Sequence, residues 1–217
     1  EGNPYLIAVN RTTQTVTVYE KDEEGNYTVP FKSMICSTGR DTPVGFFHTS
    51  DQYDWRALVG GGDGPYATRI SPTDGILFHS VPYYSAEKDQ LETEEFNKLG
   101  TPASLGCVRL QIEDCKWIYD ECPSGSPVVI YDGDESTDPL GNPGFTPIDP
   151  NSPNAGWDPT DPDPANPWDD AFESGTAIRS QAAWDQWETE RENWMSSLTP
   201  TDLQGWSTDS KIAGTRG

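Results

Sequence analysis

Positive charge is scarce in this chain. Its 217 residues carry 14 Lys and Arg against 36 Asp and Glu, a formal net charge of −22. Nucleic-acid phosphates demand cationic partners, so this balance argues against a nucleic-acid binder. It suits a soluble secreted or surface protein. Long apolar runs are missing as well, and none approaches the ~20 residues of a bilayer-spanning helix. The chain opens on Glu1 instead of Met, and the expectation is an export signal or membrane anchor already removed, the one route left to a membrane. Histidine is limited to His48 and His79, and cysteine to Cys36, Cys107, Cys115 and Cys122. No paired C-x-x-C pattern offers a zinc site. Asp132 to Asp138 alternates side-chain oxygens but lacks the framing of an EF-hand loop, and reads as a solvated acidic turn. No metal and no organic cofactor is expected.

What is present is mostly β pattern. Tyr5 to Val9 reads as a strand. Thr15-Val16-Thr17-Val18-Tyr19 alternates at period two, as a half-buried strand should. Asn10 to Gln14 forms a hairpin turn between them. Glu23 to Asn26 is a second turn, leading to strands at Tyr27–Val29 and Phe31–Cys36. Ser37 to Phe47 reads as a strand end, a turn and a further strand. Asp51 to Thr73, with three glycines at 60–62, reads as a loop over the sheet and a candidate lining of a substrate cleft. Ser85 to Leu99 is acidic and mostly helical in propensity, a candidate cap or lid. Asp114 to Tyr119 looks helical, and Val128 to Tyr131 returns to strand. The fold class is mainly β with short helices, a sandwich or a partly closed barrel.

Composition changes after Asp132. Residues 1–132 form one domain and 133–217 an acidic extension. Gly133 to Asp170 is dense in Pro, Asp, Asn and Gly, an extended linker or a strap over the surface, with Trp157 and Trp168 as anchors. A helix is expected over 177–198, because Trp184, Trp187, Arg191, Trp194 and Leu198 recur at steps of three and four. Six of the eight tryptophans lie beyond Asp132. They either dock the extension or offer aromatic faces to sugar rings.

The chemistry concentrates in Ser104-Leu105-Gly106-Cys107-Val108-Arg109-Leu110. A glycine before a thiol permits a tight turn and leaves backbone N–H groups uncovered beside the sulfur. Covalent acyl transfer uses those parts, a soft nucleophile and donors aimed at a developing oxyanion. The competing reading is a buried cysteine at a strand-to-helix corner. His79 ends the strand-like run Gly75 to Ser80 and can reach a cysteine remote in sequence. His48 follows Phe46-Phe47 and reads as strand or surface packing. Cys36, Cys115 and Cys122 read as buried small apolar residues, with a disulfide among them left open. Trp55, Tyr66, Tyr83 and Tyr84 flank His79 in sequence and are candidate cleft walls.

Four stretches taken together resemble the L,D-transpeptidases with the YkuD-like catalytic domain. They are S-T-G-R-D-T-P-V-G-F-F (37–47), His79-Ser80, L-G-T-P-A-S-L-G-C-V-R-L (99–110) and Y-D-E-C-P-S-G-S-P-V-V-I (119–130), matching from about Tyr5 to Asp132. Leu105 departs from the pattern, since many members carry histidine there, and it bears on local hydrogen bonding. The resemblance implies Cys107 as nucleophile and His79 as its base. The backbone carbonyl of Ser80 would fix the imidazole tautomer. The Gly106 and Cys107 N–H groups would form the oxyanion hole, with the Ser104 hydroxyl shaping that turn. Arg109 would orient the loop, meet a substrate carboxylate or make a structural ion pair. The imidazole and the N-terminus of the following helix are expected to lower the thiol pKa. The implied reaction joins peptidoglycan stem peptides by 3→3 cross-links, through a thioester and with loss of D-alanine. It would take place outside the cell, in the wall or on the outer face of the bacterial membrane, and carbapenem-type β-lactams would acylate the thiol. Two alternatives remain: an L,D-carboxypeptidase or endopeptidase on the same thiol, and a non-catalytic wall-binding protein.

Overall fold

The computed structural model describes residues 2–71, 73, 75–168 and 189. β1 (Tyr5–Asn10) and β2 (Thr15–Lys21) form the expected hairpin, paired from Tyr5–Glu20 to Asn10–Thr15. Ile7, Val9, Val16 and Val18 point into the main core. The other face is covered too. Leu6, Ala8 and Tyr19 cluster with Val129 and Tyr131, and Thr15 and Thr17 are buried. The half-buried expectation for β2 is therefore corrected. Its second face carries threonine and tyrosine, which tolerate burial, whereas a solvated face would carry charge.

β3 (Tyr27–Ser37) is a single long strand where the sequence suggested two. Val18 pairs with Lys32 and Tyr19 with Pro30, so Phe31 is bulged out of register. A bulge accommodates a proline that has no N–H to give the ladder. The strand also carries the chain from one half of the sheet to the other. Its body pairs with β2, and its end pairs Cys36 and Ser37 with Leu110 and Arg109 of β8 (Val108–Leu110). β7 (Leu77–Ser80) runs parallel to β8, with His79 opposite Arg109. β4 (Gly45–His48) is antiparallel to β9 (Pro127–Tyr131), which runs parallel to β1.

The segment expected as a loop at 51–73 is a β-hairpin. β5 (Gln52–Ala57) pairs with β6 (Asp63–Arg69), and the glycines at 60–62 lie at its tip. Polar and aromatic residues alternate along β5, so the period-two signal was there at low hydrophobicity. The nine strands make one curled sheet, ordered β4-β9-β1-β2-β3-β8-β7-β6-β5. Of the two shapes expected, this is the partly closed barrel.

Two short helices complete the body. α1 covers only Thr93–Phe96, against the helical expectation for 85–99. Tertiary pairing overrides propensity here, since Tyr83 bridges Asp63 and Leu91, and the Leu91 N–H reaches the Gly156 carbonyl. α2 (Ile112–Glu121) buries Ile112, Cys115 and Ile118. Its own N-cap residue, Gln111, makes no capping bond. The strap supplies the cap: Asp158 Oδ2 accepts from Ile112 N at 2.9 Å, and Thr160 Oγ1 from Glu113 N at 3.3 Å.

Further contacts hold the strap along the body. Asn97 and Ile148 exchange two hydrogen bonds of 2.8 Å. Lys88 meets Asp161 at 2.9 Å. Trp168 is buried and its indole N–H donates to the Trp157 carbonyl at 2.9 Å. The acidic run at 132–138 is exposed at 134–136, as expected of a solvated turn, but buried at both ends. Asp132 is buried against Arg11 in a two-bonded pair of 2.9 and 2.7 Å, and Asp138 accepts from Asn10 and Thr13. Cys36, Cys115 and Cys122 are free and buried, as small apolar residues. The helix expected over 177–198 lies outside the described residues, Thr189 excepted.

Candidate active site

Parallel pairing of β7 with β8 brings His79 and the segment around Cys107 to one region, although the sequence separates them widely. His79 is 2% exposed. Its Nδ1 lies 2.5 Å from the Ser80 carbonyl oxygen. A carbonyl can only accept, so Nδ1 carries the proton and Nε2 keeps its lone pair. Gly64 on β6 makes room for the ring, since a Cβ there would stand 3.1 Å from Nδ1. Burial, then the nearby Arg109 charge, drive the imidazole down to about 4, against the Ser80 hydrogen bond. The ring is neutral at ordinary pH. The Ser80 hydroxyl points elsewhere, donating to the Val81 carbonyl at 2.8 Å.

Cys107 is half-buried, unlike the other three cysteines. Its loop is braced by the stretch that follows β3. Gly39 forms a parallel bridge with Ser104, so close that a Cβ on Gly39 would lie 2.2 Å from the Ser104 carbonyl oxygen. Thr42 Oγ1 donates to the Gly106 carbonyl at 2.6 Å, and Asp41 N to Leu105 O at 2.9 Å. Ser104 Oγ donates to the Cys107 carbonyl at 2.6 Å, so that hydroxyl shapes the turn. Among the described residues the N–H groups of Gly106 and Cys107 have no acceptor.

Burial pushes the Cys107 thiol above its ordinary value, while a Leu77 backbone hydrogen bond and the charges of Arg109 and Arg69 pull it back. The expectation of a lowered pKa is corrected. The N-terminus of α2 lies beyond the far end of β8, and Asp158 and Thr160 already occupy its leading N–H groups.

A cleft of about 450 Å³ contains Cys107, His79, Ser104, Gly106 and Arg109 in its lining. Arg109 Nη1 is 2.6 Å from Glu95 Oε2, and Lys98 meets the other oxygen at 2.6 Å. Burial opposes ionisation of Glu95, but Lys98 and Arg109 together hold its carboxyl below the ordinary value. Four charged lining residues, Arg56, Arg69, Glu92 and Glu95, come from the two segments expected at the cleft, 51–73 and 85–99, but were not singled out there as individual residues. The two arginines belong to the 51–73 hairpin, Arg56 on β5 and Arg69 at the end of β6, and the alternation of β5 bears only on the first. The two glutamates sit in the acidic 85–99 stretch, and no local pattern separates them from their solvated neighbours.

The aromatic residues proposed as cleft walls do not line it. Tyr83 is fully buried with Trp55 edge-on at 5.5 Å. Tyr66 packs on Tyr119 at 5.6 Å, and Tyr84 is exposed. The hairpin turns Trp55 and Tyr66 toward the core and puts Arg56 and Arg69 on the cleft. His48 is exposed and packs edge-on to Phe46. Among the described residues no group of three His, Cys, Asp or Glu converges as a metal site.

Comparison with known proteins follows this geometry. The family model of the YkuD L,D-transpeptidase catalytic domain matches residues 4–130. A protein of Bacillus subtilis (strain 168) named "Putative L,D-transpeptidase YciB" is 37% identical over 116 residues, 50% of this chain. The matched part is 58% of that relative's own length. An L,D-transpeptidase from Mycobacterium smegmatis has a TM-score of 0.48 at 20% identity, over 59% of each chain. The LD transpeptidase LdtMt1 in complex with imipenem scores 0.48 at 21% identity, over 59% of each chain. No activity follows from structural likenesses at that level.

Proposed function

Because the chain belongs to the YkuD family of L,D-transpeptidase catalytic domains, we propose that it cross-links peptidoglycan by acyl transfer through Cys107. The observation that supports this best is the hydrogen bond from His79 Nδ1 to the Ser80 carbonyl, in the cleft that also holds the thiol. It leaves Nε2 as a base of the required tautomer. In the first half-reaction the sulfur attacks the carbonyl between the diamino acid and the terminal D-alanine of a tetrapeptide stem. The thiol proton passes to His79 Nε2 as the C–S bond forms. The Gly106 and Cys107 N–H groups receive the negative charge developing on oxygen. His79 then returns the proton to the departing amine, the C–N bond breaks, and D-alanine leaves a thioester on Cys107. In the second half the side-chain amine of another stem attacks the thioester and loses its proton to His79. The sulfur leaves and regains a proton, and the product is a 3→3 cross-link. Arg109 contributes positive charge beside the sulfur and anchors Glu95 on the cleft wall. The substrate places this reaction outside the cell, at the wall.

Intact-mass measurement with a tetrapeptide stem tests the proposal. The expected products are a thioester on the wild-type chain, none on Cys107→Ala, and a cross-linked dimer when a second stem is supplied. Tripeptide without dimer would show hydrolysis instead, and the absence of any adduct would refute a cysteine mechanism. A carbapenem is expected to add one covalent mass to the wild-type chain and none to Cys107→Ala. His79→Ala should fold and form thioester about 10²–10⁴-fold more slowly. An unchanged rate would remove the imidazole from the mechanism.

A further inference from the structure

The chain has a net charge of −22, yet Arg56, Arg69 and Arg109 all line the cleft. The three are differently engaged. Arg109 is committed to Glu95 through Nη1 at 2.6 Å, a carboxylate only 24% exposed, and its Nε, like that of Arg69, is buried without a hydrogen bond. Arg69 is loosely held. Its Nη2 donates to the Tyr53 hydroxyl at 2.9 Å. Its Nε is buried without a hydrogen bond. The nearest carboxylate, Asp51, is 3.4 Å away, out of line for a bond and 67% exposed. Arg56 stacks at 4.8 Å on the Tyr53 ring, with Arg69 at 5.8 Å from the same ring.

The placement of Arg69 relative to the sulfur is direct. Arg69 pairs in register with Leu77 of β7. Leu77 in turn hydrogen-bonds the Cys107 sulfur through its backbone. The guanidinium thus sits one strand away from the strand that borders the nucleophile.

We propose that Arg69, with Arg56 beside it, binds the free terminal carboxylate of the acyl donor and makes the enzyme selective for it. This rests on the transpeptidase reading, in which the leaving D-alanine bears a carboxylate on the carbon next to the scissile nitrogen. In the Arg69–Asp51 pair the arginine is 17% exposed but the carboxylate 67%, so solvent screens the pair and it contributes little. A substrate carboxylate in the cleft would meet the Arg69 guanidinium that lines it, in a partly desolvated setting where a charge-assisted bond is strong and directional. Tyr53 holds both guanidiniums in place before substrate arrives. Glu95, already saturated by Arg109 and Lys98, does not compete for Arg69.

The test compares a tetrapeptide stem ending in a free carboxylate with the same peptide ending in an amide. Thioester formation is measured on the wild-type chain, Arg69→Gln, Arg69→Lys and Arg56→Gln. Binding of both peptides is measured on Cys107→Ala with and without Arg69→Gln. The wild-type chain should prefer the acid about tenfold or more. Arg69→Gln should abolish that preference by slowing the acid and sparing the amide, and Arg69→Lys should keep part of it. Arg56→Gln, on an exposed position, should lower the preference in the same direction and by less. It decides the matter if Arg69→Gln does not fold. Equal slowing of both donors, or no wild-type preference, overturns the proposal. If neither peptide acylates the wild-type chain, the transpeptidase reading fails and the binding measurements judge the subsite alone. Tighter, Arg69-dependent binding of the acid upholds it, and equal binding of the two peptides overturns it.

Discussion

Cys107 and His79 both enter the cleft uncharged. Burial raises the thiol and lowers the imidazole to about 4, so the resting pair is thiol and neutral ring, not thiolate and imidazolium. In the proposed reaction, proton transfer then accompanies attack. The same burial links His79 to stability. Its folded value of about 4 lies below the ordinary 6.5. Between those values the unfolded chain binds a proton that the folded chain refuses. Stability from this group is therefore complete above 6.5 and is lost as the pH falls toward 4. Relative to His79→Gln, the wild-type chain should lose about 3 kcal/mol across that window. Chemical denaturation of both proteins at pH 7 and pH 4 checks this, and parallel losses would show that the ring is not held neutral. The comparison with a variant is needed because Asp158 acts in the opposite sense. Burial pushes its carboxyl up to about 6 from 3.8, against donors from Thr160 and Ile112. Its contribution is present below 3.8 and is lost as the pH rises through 6.

The strap acts at the scale of elements. It closes the open end of α2 with Asp158 and Thr160 and fastens the segment that carries Glu92 and Glu95. Thr93 Oγ1 donates to the Ala155 carbonyl at 2.5 Å, and the paired bonds of Asn97 with Ile148 follow directly after α1. Asp158→Ala removes the cap from Ile112 and leaves that N–H without its partner. The expected cost is about 2 kcal/mol, or roughly 4–8 °C in Tm for a chain of this size. A thermal melt of the variant measures it, and an unchanged Tm would mean that the strap only follows the body. Breaking the Lys88–Asp161 pair should cost more, because the Asp161 side chain is fully buried. Lys88→Ala leaves that carboxylate unpaired, at about 3–5 kcal/mol by the same melt.

At the scale of the molecule, one curled sheet buries three cysteines and leaves the fourth at a cleft. That gives a countable outcome. A small neutral thiol reagent should modify one cysteine in the native chain and four after unfolding, with Cys107 as the native site. Labelling of Cys36, Cys115 or Cys122 before unfolding would show that the core opens on the timescale of the reaction. Core and strap are also continuous, since Ile148 and Trp168 join the cluster built by the strands.

Local rules in the sequence were enough for much of this. Alternating Thr and Val specify β2, the run after Pro123-Ser124-Gly125 specifies β9, and the glycine before Cys107 marks a turn with exposed donors. The family and its thiol were legible because those residues are contiguous or share short motifs. Other features depend on partners far along the chain, and no window of sequence contains both members. The half-buried, acidic 85–99 stretch stays largely non-helical because Gly156, Tyr84 and Pro82 claim the backbone of Leu91, Gln90 and Glu92. Asp132 leaves water because Arg11 meets it. The thiol stays protonated because the protein around it excludes solvent more strongly than its arginines compensate. Composition and spacing thus determined which groups could react. Burial and long-range pairing alone decided their charge, and which cleft arginine pairs with a half-buried carboxylate and which with an exposed one.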